Sequence, residues 1–223
     1  MDETFIYLLQ YVIIAVVRYK VVSIMSKHIE ALLKMLKDNN GILTARMAKN
    51  AKIPNEYFSI LVREGYLEKI SRGLYASKTS YVDEMYELQA TNSNLIFSHL
   101  SALYIHNLTD RTPHKMTITV PRTQNVSKLI KSGRVEVKRS NEANHLLGIC
   151  EEQSPAGFII KVYDKERTIC DIIKNSKNTD SQILTDALKA YAKRKDKDLS
   201  KLMKYAKALK VEKRIRQYLE VLL

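Results

Sequence analysis

The sequence predicts an α+β protein: a small helical module closed by a hairpin, then a mixed α/β region, then a helical tail. Three observations predict it. Apolar residues recur at helical spacing over 26–65 and again from 165 to the C-terminus. Two short helical patterns near the front are followed at once by a hairpin pattern. Between front and tail lie short runs with the alternation of strands.

Taken in order, 26–41 is a helix, because Ile29, Leu32, Leu33 and Leu36 share one face. Ser26 is placed to cap it and Asn39-Asn40-Gly41 to end it. Thr44 is the N-cap of a short helix within 44–54, with Met47, Ala48 and Ala51 facing inward. Pro54 opens a second helix, in 53–65; Phe58, Leu61 and Val62 are its apolar stripe and Gly65 terminates it. Its opposite face carries Glu56, Ser59, Ile60 and Arg63, with Asn55 and Tyr57 near its start. "YLEKI" and "GLYAS" then read as two strands turning through Ser71-Arg72-Gly73, where Gly73 supplies the positive φ the turn requires. A supporting helix, two short helices with a tight turn, and a hairpin make the pattern of a winged helix-turn-helix. The competing reading is an ordinary surface hairpin with solvated charges.

Beyond residue 80 the expectation is helix over 80–89 and 95–108, then strands over 115–122, 134–140 and 157–164. Asp164 is placed to cap a helix beginning at Lys165. Three amphipathic helices, 180–194, 198–210 and 211–223, complete the tail. The predicted organisation is an N-terminal extension (1–25), a winged helix-turn-helix module (26–80) and a mixed α/β domain with a helical C-terminal tail (81–223).

The net charge is +13 over 223 residues, with a surplus at the two ends of the 26–223 region and none over 81–155. So large an imbalance implies an anionic partner, most often nucleic acid. Cys150 and Cys170 are the only cysteines and form no C-x-x-C, so a structural zinc is unsupported and reduced, partly buried thiols are expected. The apolar run over 5–17 is shorter than a spanning helix, contains Gln10, and lacks the features of a secretory signal. It reads as a misassigned start ahead of Met25, or as an extra helix or partner face.

No constellation points to chemistry. His99 and His106 lie about 10.5 Å apart on one helix, too far to share a metal unaided. Glu136-Val137-Lys138 is an E-x-K triplet that, with Asp110 or Asp164, is the weak pattern of a metal-dependent nuclease. Arg167 and Asp171 are spaced to pair along a helix, and Asp164 and Glu166 suit its start, so the cluster reads first as a structural anchor between strand and helix and second as a partner-contact or regulatory site. The absence of a Gly-rich phosphate loop argues against a nucleotide-binding enzyme of the P-loop or Rossmann type. On 198–210, Lys201 and Lys204 lie opposite the apolar Leu199, Leu202, Met203 and Ala206.

Together, "RGLYA", "SHLSALYIHNLT", "TVPR" and "YDKERTICDII", in that order, resemble the AbiEi antitoxins of bacterial type IV toxin–antitoxin (abortive-infection) systems. The resemblance runs from about Ile29 to the C-terminus. It implies a cytoplasmic repressor and antitoxin, not an enzyme, with no metal or cofactor and no membrane partner. It further implies a winged helix that binds inverted repeats in the protein's own promoter. The C-terminal domain would counter a nucleotidyltransferase-like toxin, without necessarily forming a stable complex with it, as part of phage defence. On that reading Asn55, Tyr57, Ser59 and Arg63 meet base edges or nearby phosphates, and Ile60 a thymine methyl. Arg46, Lys49, Lys69 and Arg72 hold phosphates. Arg167, Lys201 and Lys204 form the antitoxin surface. The alternatives are a winged-helix-targeted nuclease and a ligand-sensing transcription factor.

Overall fold

Residues 26–222 are described by a computed structural model. The apolar run over 5–17 lies outside them. The architecture is α+β with a helical C-terminus, and the chain divides into two compact units, one ending at Val82 and one running from Asp83 to Leu223.

The first described element of the front unit is helix α1, 26–38. Ser26 is itself helical and its hydroxyl donates to Glu30, so it does not act as the cap the sequence suggested. The helix ends where Asn40 and Gly41 take positive φ and the Gly41 N–H reaches the Leu36 carbonyl. Strand β1 (Ile42–Thr44) leads directly into α2 (Ala45–Asn50), because the Thr44 hydroxyl accepts from the Met47 N–H and caps the helix. Met47 and Ala48 pack inward; Ala51 is exposed, since α2 ends at Asn50 and Lys52 turns the chain at φ 58°. Helix α3 (Glu56–Arg63) follows. It closes at Gly65, φ 80°, with Gly65 bonded to Val62 and Tyr66 to Leu61, the paired bonds of a glycine stop.

Strands β2 (Glu68–Ser71) and β3 (Leu74–Ala76) form the hairpin, and β3 lies between β1 and β2 in an antiparallel three-stranded sheet. A bulge between Lys69 and Ser71 pushes Ile70 outward. Leu32, Leu43, Ala48, Phe58, Leu61 and Leu67 fill the core, and Phe58 stacks on Tyr75 at 4.3 Å. Each of the buried leucines and Phe58 contributes about 1.5–3 kcal/mol relative to exposure.

The second unit is built on a five-stranded mixed sheet in the order β6-β5-β4-β8-β7. After α4 (Glu84–Thr91) comes β4 (Ile96–Phe97), then α5 (His99–Ile105) and β5 (Met116–Pro121). Next are α6 (Ser127–Lys131), β6 (Val135–Ser140), α7 (Glu142–Leu146), β7 (Ile149–Gln153) and β8 (Ile159–Tyr163). The helix expected over 95–108 therefore starts only at His99. Ile96 and Phe97 are instead a central strand, antiparallel to β5 and parallel to β8, buried on both sides. Strand β7 and helices α6 and α7 add to the elements expected from sequence.

Helices α8 (Lys165–Lys174), α9 (Ser181–Lys193), α10 (Leu199–Ala208) and α11 (Glu212–Leu222) form the C-terminal layer. One apolar cluster joins Phe97, Ile118, Val120 and Val162 of the sheet to Met85 and Leu88 of α4. A second joins α5 and α8–α11 through Leu103, Ile169, Ile172, Leu188, Leu202 and Ile215. No helix among the described residues is long and apolar enough to cross a membrane.

Candidate nucleic-acid interface

The front unit presents a cationic face built on α2, the following turn, α3 and the hairpin. Arg46 and Lys49 are one turn apart on α2 and both are exposed, as is Lys52 in the turn. An open cavity of about 740 Å³ beside them is lined by Arg46, Lys49, Lys52, Pro54 and Asn55. Sequence reasoning missed Lys52. The three-residue rhythm of Arg46, Lys49 and Lys52 is the pattern that reveals it.

At the start of α3 and along it, Asn55, Ser59 and Arg63 are exposed at intervals of four. Asn55 occupies the N-cap position with its side chain free of any capping bond, which leaves both its donor and acceptor for a partner. Arg63 pairs only with the neighbouring Glu64, at 3.2 Å and in full solvent, a contact of little energetic weight. Lys69 and Arg72 are exposed on the hairpin. Among the described residues, Arg46, Lys49, Lys52, Lys69 and Arg72 have no acidic partner within ion-pair distance.

The hairpin tip is fixed rather than free. Its two-residue turn is Arg72-Gly73, with Gly73 at φ 76°. The Gly73 carbonyl accepts from the Ala45 N–H at 2.8 Å, tying the turn to the first residue of α2. A Cβ on residue 73 would meet the Ala45 Cβ at 3.4 Å, in a conformation L side chains rarely adopt.

Two of the expected contacts are corrected. Tyr57 is buried (6% exposed), and its ring lies 5.1 Å from that of His28 on α1, so it supports α3 from behind and does not reach outward. Ile60 is half-buried against the core and offers only part of its side chain.

The expected surface in the second unit also changes. Arg167 is 3% exposed. Its Nε donates to both oxygens of Asp171 at 3.0 Å, and its Nη1 to the carbonyls of Asn144 and Leu147. The guanidinium lies 4.3 Å from the centre of the Tyr163 ring. It anchors the sheet-to-helix junction and is no surface cation. Lys201 is partly exposed, but its Nζ is 2.9 Å from Asp164, whose hydrogen bond raises the lysine's pKa. Asp164 also caps α8 by accepting from the Arg167 N–H, and accepts from the Tyr205 hydroxyl. Of the three expected residues only Lys204 falls among the exposed ones.

The remaining candidates do not converge on a reactive centre. His106 is buried, with Nε2 2.7 Å from the Tyr163 carbonyl, and burial holds its pKa below the ordinary histidine value. Lys138 is paired with Glu136 at 2.8 Å, and no group of three or more metal-ligating side chains occurs among the described residues. Cys150 and Cys170 are free thiols, each pushed by burial up to about 12.

No curated protein matches the chain. Residues 30–78, from α1 through the hairpin, match the family described as transcriptional regulator, AbiEi antitoxin, and this match supports an AbiEi-family antitoxin.

Proposed function

We propose that the chain is the antitoxin and autorepressor of a type IV toxin–antitoxin operon, with a winged helix that reads inverted repeats in its own promoter. The observation that carries this reading is the coincidence of the family match with the cationic face, since residues 30–78 hold all of its residues. The element order of the front unit, helix–strand–helix–helix–hairpin with β3 central, supports the winged helix.

In this reading α3 enters the major groove and presents Asn55, Ser59 and Arg63 to base edges. Arg63 exchanges its solvent-exposed partner Glu64 for a guanine, to which a guanidinium bonds in bidentate fashion. Arg46, Lys49 and Lys52 grip phosphates beside α2, and Lys69 and Arg72 grip them beside the hairpin. The protein does no covalent chemistry; it acts in the cytoplasm by occupying DNA and by opposing a nucleotidyltransferase-like toxin. Lys204 and Lys207, the two exposed lysines of α10, supply the surface for that second task.

The test is a gel shift of the full chain on the DNA upstream of its gene, against a shuffled duplex, across a salt series. Selective binding supports the repressor reading. Equal affinity for both duplexes at every salt concentration would sink it.

A further inference from the structure

In the second unit, a cavity of about 330 Å³ is lined in part by β5, β6 and α8, and the DNA-binding reading makes no use of it. Buried polar side chains line it: Thr119 and Arg167, each 3% exposed, and Asp171, 5% exposed. Cations line it too: Lys138 and Arg139 on β6, and Lys174 at the end of α8.

The balance of charge favours an anion. Asp171 is the one carboxylate in the lining, and Arg167 occupies both its oxygens. Lys138 is satisfied by Glu136. Arg139 is steadied by two neutral carbonyls, those of Arg122 and Gln124, and has no acidic partner among the described residues. Lys174 is exposed and has no acidic partner among the described residues. Arg167 spends Nε and Nη1 on protein groups, while its Nη2 has no hydrogen-bond partner among the described residues.

His99 completes the lining at a strained backbone position, φ 48°. Its Nδ1 lies 3.1 Å from the Ser98 hydroxyl, which accepts from Thr119 at 2.8 Å. A non-glycine residue held in this conformation, joined to a buried hydroxyl chain beside a cavity, is the kind of feature found at ligand sites. Burial keeps His99 below its ordinary pKa, so the positive surplus belongs to Lys174 and Arg139.

We propose that this cavity binds a small phosphorylated organic molecule, its phosphate held by Lys174 and Arg139 and its remainder against Thr119 and Arg167. Ammonium and guanidinium groups around buried donors suit a phosphate. The volume exceeds what a phosphate alone would fill and lies in the range of small-ligand sites.

The test is isothermal titration calorimetry on the full chain with three probes: inorganic phosphate, adenosine 5′-monophosphate and adenosine. The expected result is saturable one-site binding of the monophosphate, weaker binding of phosphate, and none of adenosine. Lys174→Ala, at an exposed position whose loss leaves the core intact, should weaken the monophosphate at least about tenfold. Lys189→Ala, an exposed lysine on α9, should leave it unchanged and controls for the overall charge. Failure of both phosphate and monophosphate to saturate overturns the proposal, as does an equal loss in the two variants. Phosphate binding as tightly as the monophosphate would overturn the organic part.

Discussion

Arg167 and Asp171 face each other one turn apart on α8, each under a tenth exposed, with the guanidinium Nε at 3.0 Å from both carboxylate oxygens. Removing one partner strands the other charge in the core. Arg167→Ala should therefore cost about 3–5 kcal/mol of stability. Urea unfolding of the single variant and of the Arg167→Ala/Asp171→Ala pair checks this. The double variant should recover part of the loss; a single variant as stable as wild type would show that the pair carries no weight.

Tyr57 separates folding from recognition. Tyr57→Ala should destabilise the chain by about 3–5 kcal/mol, since it empties a buried aromatic site against His28. Tyr57→Phe should be close to neutral in both stability and DNA affinity. A selective loss of DNA binding in Tyr57→Phe would mean that the hydroxyl reaches the duplex after all.

Arg72→Ala should weaken binding to all duplexes alike and reduce the slope of log affinity against log salt by about 1. Arg63→Ala should instead cost about 1–3 kcal/mol at one base-pair position and relax selectivity there. Titrations on a set of singly substituted operators distinguish the two patterns.

Stability should fall in mild acid. Burial is the leading cause that lowers the pKa of His99, His106 and His145 in the folded state. The unfolded chain then binds more protons below about pH 6.5, so folding stability is present above that value and declines as pH drops through the folded values. Melting temperatures measured from pH 7.5 to 5 should show this decline, and His106→Asn should flatten it. A wild-type melting temperature constant across that range would rule out the linkage.

Much of the front unit was legible because its punctuation is local. The Thr44 cap, the Gly65 stop and the Gly73 turn each follow from one residue and its neighbours. What failed depended on distant packing. Leu95-Ile96-Phe97 is buried on every side, so it carries no alternation to tell strand from helix. Tyr57 shares a face with Leu61 by spacing alone, but only its contact with α1 shows that the ring turns inward. The Arg167–Asp171 pair and its anchoring role were legible from the i, i+4 spacing, but the burial of Arg167 was not, because it is α7 that closes over the guanidinium. Strand β7 was missed because its outer residues, Glu151, Glu152 and Gln153, are exposed and polar, as suits a sheet edge.

The bond from Ala45 to Gly73 has a mechanical meaning. Strand β1 runs without a break into α2, β1 is laddered to β3, and the tip of the hairpin is pinned to the same helix start. The helix pair and the hairpin therefore open to a set width, like the jaws of a caliper locked at one reading. If the front unit binds DNA as proposed, such a tool gauges a groove instead of moulding itself to it. Strain in that fit would fall on the DNA, so operator sequences that bend or narrow most easily should be preferred even at base pairs no side chain touches.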